Sequence, residues 1–273
     1  MIIYSNLKNS FEKKSKGLIP KILSAITPNF IYGKDNSILR EMVVKSNLFP
    51  ASLKSSLNPF YCKNYLAGNI NEIEVKWYDI YFTKLKKISI LFWFIPILNL
   101  FFISYYFIKP IFTKQSIDEI VDFQGLFMVA NYNKKFKGTT VVIPDRFEKS
   151  FGFLANSFQK LSSKKGEFVY LENVDFEKEF VVYSSDQIEA RIILSPRMME
   201  RIIQLNKKSR RTIMLSFVDG IIFSAIYRIG GFINFSLTRS IKKGNALRET
   251  YNNLKFCVDI IEDLQLDNNF SIK

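Results

Sequence analysis

The sequence predicts an α+β fold: a mixed, mainly antiparallel sheet with packed helices, plus one apolar membrane helix or helical hairpin. Three observations lead there. Short runs of alternating apolar and polar residues are punctuated by turn formers, longer stretches repeat apolar residues at helical spacing, and Ile88 to Ile108 holds no charge over 21 residues. The chain divides accordingly into residues 1–87, with N-terminal helices and a first strand, a membrane segment at 88–108, and a main α/β part at 113–273.

In order along the chain, helical spacing predicts helices over Phe11–Ile26, bent or split by Pro20, and over Ser37–Lys45, where Ile38, Leu39, Met42 and Val43 form one face. The stretch between them, TPNFIYGKDN, reads as a turn, and PASLKSSLNPFYCKNYLAGN as a loop. Glu72 to Tyr78 alternates polar and apolar, a half-exposed strand with its glutamates toward solvent. Further strands are expected at Gly125–Tyr132, Thr139–Ile143, Glu167–Leu171 and Phe180–Tyr183. Two helices follow, Ser184–Leu194 and Ser195–Lys207, the second with Ser195 as cap and Pro196 in its first turn. Ile213–Val218 and Ile221–Tyr227 flank Asp219-Gly220, a dipeptide suited to a type I′ turn, so a hairpin is expected. A last helix, Ala246–Leu266, aligns Leu247, Tyr251, Leu254, Val258, Ile261 and Leu264.

The run ISILFWFIPILNLFFISYYFI has 17 of its 21 residues in the hydrophobic set. As a helix it would be about 31 Å long, the thickness of a bilayer's hydrocarbon core. Lys84, Lys86 and Lys87 precede it, Lys109 follows, and Tyr105 and Tyr106 stand where interfacial aromatics are found. The lysine excess on the N-terminal side places that side in the cytoplasm. Pro96 and Asn99 interrupt the middle, which also permits a re-entrant hairpin that returns both flanks to one side.

Composition excludes several functions. The 273 residues are 48% hydrophobic and 23% charged, enough for a packed core and unlike a disordered chain. With no histidine, Ser-His and Cys-His catalysis and His-ligated metals are ruled out. The two cysteines, Cys62 and Cys257, make neither a zinc site nor a C-x-x-C pair. No phosphate-loop or dinucleotide fingerprint occurs. Two carboxylate groups invite a metal or acid-base reading: Asp118, Glu119 and Asp122, then Asp175, Glu177 and Glu179. Neither has a ligand loop, so both read as solvated surface, and no catalytic, cofactor or metal residue is assigned.

The net charge of +14 leans to the N-terminal part, which suits anionic lipid as a partner beside the bilayer itself. The basic cluster Lys207, Lys208, Arg210 and Arg211 sits at a helix C-terminus, where cations favour the dipole, and a nucleic-acid partner is not expected from it. Arg191, amid Ile188, Ala190, Ile192 and Ile193, must reach solvent or find a carboxylate.

Two blocks, FQGLFMVANYNKKFKGTTVVIPD (Phe123–Asp145) and YLENVDFEKEFVVYSSDQIEARIILSPRMMERI (Tyr170–Ile202), resemble a bacterial membrane-associated family known as domain of unknown function 3137. LIPKILSAITPNFIYG, SNLFPAS and Ala67-Gly68 add a weaker similarity. The resemblance implies a bacterial protein with membrane-spanning segments and a cytoplasmic α/β domain, and it implies no activity. In the family the membrane helices precede the domain, whereas here the apolar run falls inside it. The expectation is a membrane-associated protein that offers a cytoplasmic α/β module to a protein or lipid. The alternative is a membrane-tethered enzyme using Asp/Glu acid-base chemistry.

Overall fold

A computed structural model describes residues 17, 19–33, 39–49, 60–70, 73–85, 119–131, 136–145, 167–209, 211–228, 232 and 245–264. The run 88–108 and Asp118 lie outside these residues, as does the expected helix before residue 17. Among the described residues no helix is long and apolar enough to cross a membrane.

Nine strands form one sheet: β1 (Phe30–Gly33), β2 (Phe60–Ile70), β3 (Ile73–Leu85), β4 (Glu119–Asn131), β5 (Thr139–Pro144), β6 (Glu167–Phe168), β7 (Phe180–Ser184), β8 (Ile213–Val218) and β9 (Ile221–Tyr227). Their spatial order is β1-β2-β3-β4-β9-β8-β5-β7-β6, and every pairing is antiparallel. The strands before the apolar run therefore join those after it in a single sheet.

The helices are α1 (19–26), α2 (Leu39–Lys45), α3 (Val174–Glu179), α4 (Gln187–Ile193), α5 (Pro196–Ser209) and α6 (Asn245–Leu264). Strand alternation decides which face each residue serves. On β3, Val75 and Trp77 face a core built with Leu23 of α1, Phe176 of α3, Ala190 of α4, Ile202 of α5 and Leu254 of α6. Ile80 and Phe82 face the opposite core, with Val43 of α2 and the following Leu48 and Phe49. The helices thus cover one face, and α2 with its C-terminal extension covers the other.

The second core is aromatic. Phe49 meets Phe82 at 5.3 Å edge-on and Phe123 at 4.9 Å, while Phe82 and Phe123 stack at 5.6 Å across the β3–β4 register. Such pairs add about 0.5–1.5 kcal/mol each beyond burial. Asn47, at φ 54°, turns the chain so that Leu48 and Phe49 can enter. The described part of the SNLFPAS stretch, Ser46–Phe49, therefore plugs that face of the sheet.

Several expectations are corrected. Phe30–Gly33 is a strand, although Pro28 and Asn29 punctuate it as a turn, because it pairs along β2. Phe60–Ile70 is an 11-residue strand where a loop was expected, since two tyrosines and Leu66 find cross-strand partners on β3. The strands at 73–85 and 119–131 run further toward the apolar segment than alternation indicated. Only Glu167 and Phe168 of Glu167–Leu171 are strand. The Asp219-Gly220 turn is as expected, with φ 49° and 74°.

Candidate functional site: a charged cluster at one end of the sheet

A group of buried polar side chains beside the helical layer gathers around the middle of β3, where Asp79 pairs with Leu126 of β4, close to the end of β9. Asp79 continues the row of Val75 and Trp77 on β3 and is buried. Its register partner on β2 is Asn64, whose Oδ1 accepts from the Tyr32 hydroxyl of β1 at 2.5 Å. Asp79 Oδ1 accepts from the Phe232 backbone N–H at 3.1 Å, and the Phe232 carbonyl accepts from Asn253 Nδ2 of α6 at 3.0 Å. Asn253 Oδ1 in turn accepts from Arg211 Nη2 at 3.2 Å and from Arg228 Nη1. Arg228 also pairs with Glu249 at 2.6 Å.

Two rings hold the arginines. The Arg211 guanidinium lies 4.6 Å from the ring centroids of both Phe232 and Phe256, and that of Arg228 lies 5.2 Å from Phe232. Burial, then the Arg228 charge, lowers the Arg211 pKa. Burial, then Asp79, pushes the Tyr32 phenol up to about 12. Burial likewise raises the Cys257 thiol on α6, against the pull of Arg211. Phenol and thiol are both held in their protonated, unreactive forms at neutral pH. The cluster ties strands β1 to β3, the end of β9 and the helix α6 to one another, and the motif-level reading of the sequence missed it. The polar exceptions on otherwise apolar faces, Asp79 on β3 and Asn253 on α6, were its available signal.

A second polar junction joins the two quoted blocks. Antiparallel pairing of β5 with β7 brings FKGTTVV beside YSSDQIEAR. Glu189 accepts from the Lys137 N–H at 2.8 Å and the Gly138 N–H at 2.7 Å, one with each carboxylate oxygen. Asp186 caps α4 by accepting from the Ile188 and Glu189 N–H groups, and Ser185 Oγ accepts from the Thr139 N–H. Arg191 finds carbonyls instead of a carboxylate: it donates to Gln187 O at 2.9 Å and to Tyr170 O at 3.2 Å.

The candidate carboxylates disperse. Asp175, Glu177 and Glu179 lie on helix α3, so a period of two sends them in different directions. Asp175 pairs with Lys178, Glu177 accepts from the Leu171 N–H, and Glu179 takes Asn206 and Lys207. Among the described residues no group of three could hold a metal ion. Of the basic cluster, Lys207 pairs with Glu179 and Arg211 packs inward, so the two do not line one groove.

A family model described as protein of unknown function, DUF3137, matches residues 121–266, more than half of the chain. The chain belongs to the DUF3137 family. The DUF3137 region opens within β4 and takes in α6, so both quoted blocks, the Glu189 junction and the two arginines fall inside it. Strands β1 to β3 precede the DUF3137 region and complete its sheet. No curated protein matches. A solved chain described as the crystal structure of the mycobacterial trehalose monomycolate transport factor A, TtfA, is 9% identical at a TM-score of 0.39, over 90% of this chain and 95% of that one.

Proposed function

We propose that the chain is a membrane-associated protein of the cell membrane, bacterial in origin, that presents its α+β body on the cytoplasmic side to a protein or lipid partner. The uncharged run Ile88–Ile108 carries this reading. Lys84, Lys86, Lys87 and Lys109 flank the run and suit anionic headgroups, each worth about 1 kcal/mol near such a surface.

The partner-facing part rests on apolar side chains left in water. Ile188 and Ile192 lie one turn apart on α4 and are 74% and 54% exposed, beside Tyr170 at 72% and Phe168 at 40%. Arg191 and Gln187 fasten that edge by donating to the Tyr170 and Phe168 carbonyls.

Fractionation tests the reading. The full chain should stay in the membrane pellet through an alkaline carbonate wash, and the double variant F94K/I97K should move to the supernatant. Recovery of the unaltered chain in the supernatant would sink the proposal. A photoreactive residue at Ile188 should give a discrete crosslinked species in intact cells that the same residue at Lys178 does not.

A further inference from the structure

We infer that the chain meets the bilayer from one side only: the apolar run enters and leaves the lipid at the end of the sheet marked by Leu85 and Glu119. The β1–β9 body and its described helices then stand in one compartment. This rests on the membrane reading above and decides how the run sits in the lipid.

β3 and β4 pair without a break in partnership from Val75↔Ala130 out to Leu85↔Glu119, with one bulge at Phe82/Thr83. Leu85 and Glu119 are therefore neighbours at the spacing of paired strands, about 5 Å. The two ends of the connection 86–118 are held side by side. Among the described residues the β2 pairing stops at Phe82 and the β9 side stops at Gln124, whose carbonyl accepts from the Arg228 N–H, and from there to Leu85 and Glu119 the strand partners of β3 and β4 are each other. The root of that ribbon is fixed, because Phe82 and Phe123 stack there beneath Phe49 and Phe123 meets Tyr227 at 6.0 Å.

If Ile88–Ile108 crossed once, Lys109 to Asp118 would have to bring the chain back to Glu119 through the same hydrocarbon. Ten residues reach about 33–36 Å only when fully extended. They would carry Lys109, Lys114 and Asp118 into lipid with an unpaired backbone, and each unsatisfied group there costs several kcal/mol. A single crossing is incompatible with the Leu85↔Glu119 pair. A return near Pro96 and Asn99 is compatible, since each half, about 9–12 residues, would reach roughly 14–18 Å as helix, near the bilayer midplane.

Accessibility of two new cysteines tests this. In a Cys62→Ser background of the full chain, Lys76→Cys lies before the run and Lys178→Cys after it, both at exposed side chains. Intact cells are treated with a membrane-impermeant maleimide before and after permeabilisation, and the carbonate-washed pellet is scored. The expected result is one pattern for both positions, with both blocked until permeabilisation. Labelling of one position in intact cells and the other only after permeabilisation overturns the one-sided arrangement while leaving membrane association intact. Labelled protein found only in the carbonate supernatant overturns the membrane reading and this inference with it.

Discussion

At the residue scale, the polar side chains on the core faces behave differently according to what they touch. Tyr32 is kept protonated by burial and by the Asp79 charge. Its pKa is raised, so between the ordinary value of 10 and about 12 the unfolded chain has already lost a proton that the folded chain keeps. Stability should therefore fall as pH rises through that window and be unaffected below it. Tyr32→Phe should flatten this part of the profile in denaturant titrations, and Asp79→Asn should let Tyr32 ionise at lower pH in a tyrosinate absorbance titration. Ser224 presents the opposite case, a fully buried hydroxyl without a hydrogen-bond partner. Ser224→Ala removes an unsatisfied group and should leave the denaturation midpoint unchanged or raise it, by up to about 1 kcal/mol. Neither environment is written in local sequence: Tyr32 sits in a segment rich in turn formers, and its partner Asn64 is 32 positions away.

At the scale of elements, local chemistry was legible where neighbours in sequence suffice. The Asp219-Gly220 hairpin and the Ser195-Pro196 helix start both require contacts within a few residues. The strands β1 and β2 were not legible, because their stability comes from partners on β3 and from the aromatic core. Helix α6 was placed correctly, but its buried stripe runs through Thr250, Asn253, Cys257 and Ile260 as well as Leu254, Ile261 and Leu264, leaving Tyr251 at 42% exposure. Hydropathy alone cannot find Thr250 and Asn253 in that stripe. Gly125, in the first quoted block, has a reason of this kind: a Cβ there would lie 2.0 Å from the Ile226 carbonyl oxygen on β9. Gly125→Ala should destabilise the chain by about 1–3 kcal/mol or more, read as a lowered melting temperature. Glu189→Ala should cost about 1–3 kcal/mol in the same measurement, since it removes the two hydrogen bonds that a carboxylate accepts from the Lys137 and Gly138 N–H groups at the block junction.

At the scale of the whole molecule, sequence reading gave the fold class and the sheet's antiparallel character, because alternation and turn residues carry them. Strand order was out of reach, since it depends on pairings such as Asp79 with Leu126 that bracket the apolar run. The candidate site followed the same rule. Its members come from β1, β2, β3, α6 and the ends of β8 and β9, and they meet only once the sheet is closed. The β3–β4 pairing also sets an order of events during synthesis. A nascent chain that has emerged as far as Leu85 exposes one long edge of β3, and Glu119, where its partner begins, has still to follow 34 residues behind. The greasy stretch comes off the ribosome in that interval. On the membrane reading proposed above, delivery to lipid therefore precedes closure of the sheet, and the free edge of β3 waits for its partner until that delivery is done.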